Sequence, residues 1–434
     1  MTRQQREWNK FFKQVENDTS KQIDKETTMY LNEVFTDLIE RFSEVEDYRK
    51  RVDDYEISVL LTCICIGLLW GENDIHNIAE LLGNNIGKVR RYCSFSKARL
   101  PFAPSDSTLL RVIWHTNWLD ILAIVNEWSG AHADSLNKHF AVDGKAIRAA
   151  LEKCFGGTHP PYILNAFDVE SGCLSAQIEV GKKTNELGEM ENLFSLMDLE
   201  GATITIDAAG THPKVMATVH ERGGHTILPV KGNQEGLMEA LRLFIDEMQL
   251  YHPEYITRYS DSDNGIHKHG RIDYRDYLLI TEGVDDLLAG TSFEGLGHSV
   301  GMAIRKRQEL RYDPVTKEQQ LKISEQTVIY ISDWDSSLTV ESFARYVRNH
   351  WAGSEMFHYV LDVEFDEDLS RIRTGNGMQN LSALRKLVVS ILKILKKKTS
   401  SLKSFHTFRM MLRDLGGCVE LESSHASADV LNAS

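Results

Sequence analysis

The chain lacks any run of eighteen apolar residues. The longest candidate, ISVLLTCICIGLLW from Ile57 to Trp70, is too short to cross a bilayer and suits a buried helix. An apolar leader is missing as well, because MTRQQREWNKFFKQVEND carries charge along its length; the expectation is a cytoplasmic protein with no membrane partner. Cysteine is scarce. Six residues, at positions 63, 65, 93, 154, 173 and 418, match no zinc-ligand spacing and no disulfide framework, so reduced buried thiols are expected. Neither an internal repeat nor a low-complexity tract occurs, apart from a polar tail after Gly417. Positive charge is also in short supply. With 49 Lys and Arg against 63 Asp and Glu, the formal charge of −14 excludes a surface coated in phosphate contacts, while leaving room for a local basic stripe.

What is there is an ordinary folded composition, 42% hydrophobic and 26% charged over 434 residues, enough for two or three domains. The first third reads as helix. TTMYLNEVFTDLIERFSEV sets Met29, Leu31, Val34, Phe35, Leu38, Ile39 and Phe42 near one face at helical spacing. Helical periodicity continues to about residue 130, with Asn73 or Asp74 as cap for IHNIAELLGN and a polar break at Gly83 before IGKVRRYCSF. That pair resembles a helix-turn-helix with Lys88, Arg90 and Arg91 on its second helix, and a plain helical hairpin fits the same pattern.

Near residue 139 the period shortens. HFAVDGKAI, YILNAFDV, CLSAQIEV, ATITIDAAG and HTILPVKGN are short runs rich in Val, Ile, Phe and Thr, bounded by Gly, Asp and Asn, and they predict strands. TNELGEMENLFSLMDL and HPKVMATVHERG predict helices between the later ones, so a mixed α/β sheet covered by helices is expected. GRIDYRDYLLI, VGMAIRKRQEL and TVIYISD then read as further strands, an insertion with antiparallel pairing of its own, before helices return from about 338 to 412. The organisation expected is a helical region over 1–135 with a DNA-binding role, a core over 136–412 interrupted by a β-rich insertion at about 233–335, and a polar tail over 413–434.

Two acids stand at the carboxyl ends of predicted strands: Asp143 in AVDGK and Asp207 in TITIDAAG. Side chains at such ends converge on a shared crevice in an open sheet, so the two could bind one cation. The bland readings are that DG is a turn signal and that IDAAG is a strand end or a helix cap. Two carboxylates suit Mg²⁺ (or Mn²⁺), a hard cation that prefers oxygen ligands, and a third acid from a following helix would complete a two-metal site for phosphodiester chemistry.

At this point a resemblance takes shape. AVDGKAIR, YILNAFDVESG, TITIDAAG, VKGNQ, HGRID, YISD and the stretch RNHWAGSEMFHYVLDVEFDEDLSRIRTGN resemble the insertion-sequence transposases of the ISAs type, the group that includes the H-repeat-associated proteins of Rhs elements. FSEVEDYRKR and PSDSTLLRV extend the similarity over about residues 40 to 398. The resemblance implies a DDE-type transposase with an RNase H-like core, a β-rich insertion before the last catalytic helix and an N-terminal helical region associated with DNA. Asp143 and Asp207 match the family's first two catalytic acids. The implied partners are DNA, as element ends and target, and further copies of the chain, as a homodimer or higher oligomer on DNA.

The third acid falls out of register. The family pattern resembles HW.IEN.LHW.LDV.F.ED; laid on this chain without gaps, it pairs with His350, Trp351 and His358 and puts the family glutamate on Ser354, one residue before Glu355. One step along an α-helix turns a side chain by about 100° and advances it about 1.5 Å. Either local rewinding at Gly353 brings Glu355 to the metal as the third catalytic ligand, or Ser354 leaves a catalytically impaired, repurposed DNA-binding protein. A structural or regulatory protein that no longer touches DNA is a third class. Asp362, Glu364, Asp366, Glu367 and Asp368 lie further on, in a segment that also reads as a solvated face.

Several basic and imidazole groups are candidates for phosphate contact, each with an exposed-face reading beside it: Lys145 and Arg148 after Asp143, Lys231 in VKGNQ, and His350, His358, Arg371 and Arg373 around the last helix. His267 and His269 alternate in GIHKHGR, and read as surface histidines of a hairpin rather than metal ligands. LRKLVVSILKILKKK, from Leu384 to Lys398, reads as an amphipathic helix whose lysines, Lys396 and Lys397 among them, form a basic stripe.

Overall fold

A computed structural model describes residues 26–50, 54–92, 99–132, 138–146, 162–180, 186–207, 210–263, 271–312, 318–399 and 404–415. Arg148, His267, His269 and the tail after Gly417 lie outside the described residues, as do the side chains of residues 351–356. The chain divides into two compact units, one of residues 1–131, 147–160 and 357–434, the other of residues 132–146 and 161–356.

The first unit is helical: α1 (residues 26–42), α2 (Ile57–Leu69), α3 (Ile75–Asn84), α4 (Ile86–Tyr92), α5 (Asp106–His115) and α6 (Trp118–Ala131) are followed, much later in the chain, by α12 (Gly377–Lys398) and α13 (Phe405–Leu415). α2 is buried on every side, as its unbroken apolar run demands, and Asp74 caps α3 by accepting the backbone N–H of His76 at 2.9 Å. α12 packs against α2, α5 and α6 and, apart from Gln379, is buried from Gly377 to Leu392. Lys386, expected among the lysines of a basic stripe, is therefore inside, and so is Arg385. Among the described residues, no helix is long and apolar enough to cross a membrane.

In the second unit the described strands form one nine-stranded sheet, in the order β3-β2-β1-β4-β5-β9-β8-β7-β6. Its strands are β1 (His139–Ala146), β2 (Tyr162–Asp168), β3 (Leu174–Val180), β4 (Thr203–Ile206), β5 (His225–Val230), β6 (Ile256–Asp263), β7 (Arg271–Ile280), β8 (Ser299–Tyr312) and β9 (Gln319–Ser332). α7 (Glu186–Ser195) and α8 (Pro213–His220) supply the crossovers between β3, β4 and β5, while α9 (Glu235–Tyr251) leads from β5 to β6 and α10 (Val284–Leu288) lies between β7 and β8. β1, β4 and β5 are parallel, and β2 is antiparallel to both β1 and β3. The inserted strands pair antiparallel as expected, but β9 also bonds β5, so they extend the first sheet instead of making a second one.

Alternation sorts the two faces. Phe140 and Val142 of β1, Ile204 and Ile206 of β4 and Leu228 and Val230 of β5 enter a core cluster with Leu193 and Phe194 of α7 and Val215, Met216 and Val219 of α8. Ile227 faces the other way, into a cluster with Tyr277, Tyr330 and Val340, Phe343 and Val347 of α11 (Val340–Val363). The site described next lies on this second face.

Candidate active site

β1 and β4 run in parallel register, with His139 opposite Thr203, Ala141 opposite Thr205 and Val142 opposite Ile206. The next residues are aspartates, Asp143 within β1 and Asp207 just past the end of β4, so continuing the register brings the two side by side at about the 4.8 Å spacing of neighbouring strands. Val142 and Ile206 are both in the core, so both aspartates project from the opposite face. A slip of one residue would send one carboxylate to each face. Both are partly exposed, and Asp207 accepts the backbone N–H of Gly210 at 3.3 Å through Oδ1.

The dipeptide Asp143-Gly144 is no turn here. It lies inside β1, Asp143 opposite Asn165 and Gly144 opposite Leu164. A Cβ on Gly144 would run into the phenol of Tyr162, which explains the glycine without any appeal to a bend. Asn165 in turn faces Gln177 on β3, so Gln177, Asn165, Asp143 and Asp207 form one polar row across four strands, the two amides fully buried.

α11 brings His350 to this row. His350 is 6% exposed, its Nδ1 lies 2.9 Å from Thr205 Oγ1, and the same hydroxyl lies 2.9 Å from Nε2 of buried His139. Burial pushes the His350 imidazole below its ordinary pKa, against the pull of Asp143 and Asp207, while Lys231 pushes it further down. His139 is driven down to about 3, first by burial and then by His350 and Arg345. Both rings are accordingly neutral at pH 7. Four sequence candidates thus meet in one place: Asp143, Asp207, His350 and Lys231. Lys145 follows Asp143 on the same face of β1.

The remaining candidates fall elsewhere or outside the description. His358, Arg371, Arg373, Lys396 and Lys397 belong to the first unit. Arg371 is exposed, Arg373 donates to the Ser370 carbonyl at 2.8 Å, and Lys396 stacks over Phe405 with its ammonium 4.7 Å from the ring centre. Arg90, on the second helix of the helix-turn-helix candidate, spends its guanidinium on the carbonyls of Leu100 and Pro101 at 2.9 and 2.6 Å. The helix carrying Ser354 and Glu355 is unbroken from Val340 to Val363. Among the described residues, no three His, Cys, Asp or Glu side chains are grouped to hold a metal ion. Sequence reasoning passed over His139, Thr205, Asn165 and Gln177; strand alternation counted back from the aspartates is the signal that finds the first two.

Comparison with known proteins places this geometry in context. No protein-family model matches the chain. It is 28% identical over 362 residues to the "H repeat-associated putative transposase YhhI" of Escherichia coli strain K12, covering 82% of this chain and 90% of that one. It is 26% identical over 363 residues to the "Putative transposase YncI" of Escherichia coli O157:H7, with 82% and 87% covered. A Xanthobacter autotrophicus protein named for the dhlA 3' region is 30% identical over 278 residues, 62% of this chain and 88% of its own length. Among solved structures, the cryo-EM piggyBac transposase synaptic complex with hairpin DNA aligns over 93% of this chain and 83% of that one, at a TM-score of 0.39 and 11% identity, a likeness too distant to bear on the fold.

Proposed function

Because the chain belongs to the H repeat-associated transposase family, we propose that it is a DDE-type transposase whose Asp143 and Asp207 carry the cutting and joining of DNA strands. The single observation that supports this most is the β1–β4 register, which sets the two carboxylates side by side on one face of the sheet. The order β3-β2-β1-β4-β5, in which β2 alone of the five runs against the others, supports an RNase H-like core.

Two adjacent, partly exposed carboxylates fit Mg²⁺ or Mn²⁺, hard cations that take oxygen ligands and keep positions for phosphate. Asp143 and Asp207 would hold the metal, with Glu355 as the third ligand. A pair of such ions held there would supply activation of the attacking oxygen by one and stabilisation of the leaving oxygen of a phosphodiester by the other. Lys145 and Lys231 place positive charge next to the carboxylates, where a phosphate would arrive. His350 is neutral and tied to Thr205, so it fastens α11 to β4 without adding charge to the site. Arg148, His358, Arg371, Arg373, Lys396 and Lys397 are proposed to contact DNA away from the scissile bond.

One observation favours a second reading. α11 is helical through Gly353, with no local rewinding of its backbone there. A serine where the family has glutamate then leaves a DNA-binding protein with weakened metal binding and impaired catalysis.

A strand-cleavage assay on duplex DNA with Mg²⁺ or Mn²⁺ separates the two. In the catalytic reading, Asp143→Asn and Asp207→Asn each reduce cleavage by several orders of magnitude and leave duplex binding in place. Cleavage that appears only in Ser354→Glu assigns the natural chain to the second reading. Cleavage undiminished in Asp143→Asn sinks the catalytic assignment.

A further inference from the structure

The inserted strands hold an apolar face that the proposed chemistry does not use. QLKIS in β9 alternates polar and apolar residues, and RQELRY at the end of β8 alternates charged residues with Gln, Leu and Tyr. Such a period belongs to a strand with one dry face. The register gathers the apolar set on one side, with Leu310 opposite Leu321, Gln308 opposite Ile323 and Tyr312 opposite Gln319. Counting back by twos leads to Met302 and Ile329, so this is the face whose base is packed by Leu241, Ile245 and Met248 of α9. Towards the tip, Leu310, Tyr312, Leu321 and Ile323 are 53, 62, 58 and 63% exposed, and Tyr274 of β7, level with Lys306, is 41% exposed. The opposite face, from Arg307, Glu309 and Arg311 to Gln320, Lys322 and Ser324, is polar throughout.

A single exposed apolar residue needs no explanation, but a contiguous group does. At those exposures the five side chains offer on the order of 500 Å² of accessible surface, a size at which the largest patch of a monomer is often functional. Lys306, Gln319, Glu325 and Thr327 of the same face are exposed too, and bring it near the ~800 Å² that each partner gives to a standard interface. Phosphate is a poor occupant. From Ile304 outward, the charges among the described residues of this face are Lys306 and Glu325, paired at 3.4 Å, and Asp276 of β7, bonded to Ser260 Oγ at 2.7 Å. A flat apolar face with its lysine already paired suits its own likeness better than it suits an anion.

We propose that this face of the β8–β9 hairpin docks a second copy of the chain, the two hairpins stacked face to face and tip to base. Packed sheets lie about 10 Å apart, and with α9 over each base the free lengths overlap in opposite directions. A two-fold axis across the strands at Gln308 sets Tyr312 of one copy on Ile304 of the other, Leu310 on the stem of Lys306, and Ile323 on Ile323. Such pairing requires neither DNA nor cleavage, and it gives the homodimer expected from the sequence a definite surface.

Sedimentation equilibrium of the full chain without DNA, from about 1 to 100 µM, tests it. The natural chain should show a monomer–dimer equilibrium that tightens with added salt, because each copy carries a formal charge of −14 and screening relieves the repulsion. Leu321→Glu and Ile323→Glu should each weaken it by about tenfold or more, whereas Ser324→Glu, on the opposite face of β9, should not. Ile323→Lys should also fail to pair alone, yet pair with Ile323→Glu when the two are mixed, since the axis sets these side chains against each other. All these positions are exposed, so thermal midpoints should stay equal. A chain that remains monomeric throughout overturns the interface, and so does association that needs duplex. Equal losses in Ile323→Glu and Ser324→Glu overturn it in favour of the strand edge. Face variants that lower the midpoint of a monomeric chain overturn it in favour of a segment of the same chain, and a mixture that does not pair overturns the two-fold stacking. A dimer that cleaves no DNA keeps this surface and removes only the catalytic reading.

Discussion

Thr205 has one hydroxyl proton and two imidazole neighbours, so it can donate to one ring and must accept from the other. That arrangement requires one of the two rings to keep its facing nitrogen bare, so the pair cannot both be protonated, and it turns acid into a stress on the site. His139 in the folded chain resists protonation until about pH 3, while an unfolded chain takes up the proton near pH 6.5. Between those values the unfolded state binds more protons, so folded stability is full above about pH 6.5 and falls as pH drops through the window. On going from pH 7 to pH 5 this one group should remove about 2 kcal/mol, at about 1.4 kcal/mol per pH unit. Denaturation midpoints of the natural chain and His139→Gln at the two pH values check it: the variant should lose less, and equal losses would mean that His139 takes a proton in place. None of this was legible in advance, because a lone His and a lone Thr carry no chemical signature and His350 is 145 residues from Thr205. The aspartates were legible, since an acid at the end of a Val- and Ile-rich run is a pattern within nine residues.

At the scale of elements, β1 to β5 and β7 to β9 could be read ahead because each alternates or fills with β-branched and apolar residues between turn formers. β6 could not. Among the described strands it is the last of the sheet, with a strand partner on one side, and ITRYSDSD is accordingly polar beyond Ile256, which packs against the core. α12 misled in the opposite sense: its lysines suggested a basic stripe, yet Lys386 is buried, and its neighbour Arg385 donates to the Asn73 carbonyl at 3.0 Å from inside the helical unit. The seat of α11 depended on details that no periodicity reveals. Phe343 lies over Gly301 of β8, where a Cβ would overlap its ring, and stacks edge-on with Tyr330 at 5.5 Å. Gly301→Ala should therefore displace Phe343 and loosen the helix that brings His350 to the aspartates. The expected loss is about 1–3 kcal/mol of stability, the usual range for overpacking a full core. Gly301→Ala combined with Phe343→Leu should recover part of it. A denaturation midpoint for Gly301→Ala equal to that of the natural chain would show that the ring has room to move.

For the whole molecule, the consequence of note is that the helical unit is built from both ends of the chain. Residues 1–131 contribute α1 to α6, but α12, buried over most of its length against α2, α5 and α6, comes from the far side of the sheet-bearing unit in sequence. α13 is held by a second long-range tie. Arg409, buried beneath the chain after α2, donates to the Leu68 carbonyl at 2.5 and 2.9 Å and to Asn73 Oδ1 at 2.8 Å, and burial lowers its pKa to about 10. A fragment of residues 1–131 would have to expose the surfaces of α2, α5 and α6 that α12 covers, or collapse around them without α12. At about 25 cal/mol per Å² of apolar surface, losing a helix of 22 residues outweighs the few kcal/mol by which a domain is normally stable. Residues 1–131 alone should accordingly show helical far-ultraviolet dichroism without a cooperative thermal transition. Adding a second fragment of residues 357–434 should restore the transition, and Arg409→Met in that fragment should weaken the restoration by about 3 kcal/mol or more, because several carbonyls lose a buried donor. A cooperative transition in residues 1–131 by themselves would show that the amino-terminal helices close their own core and that α12 is an accessory to it.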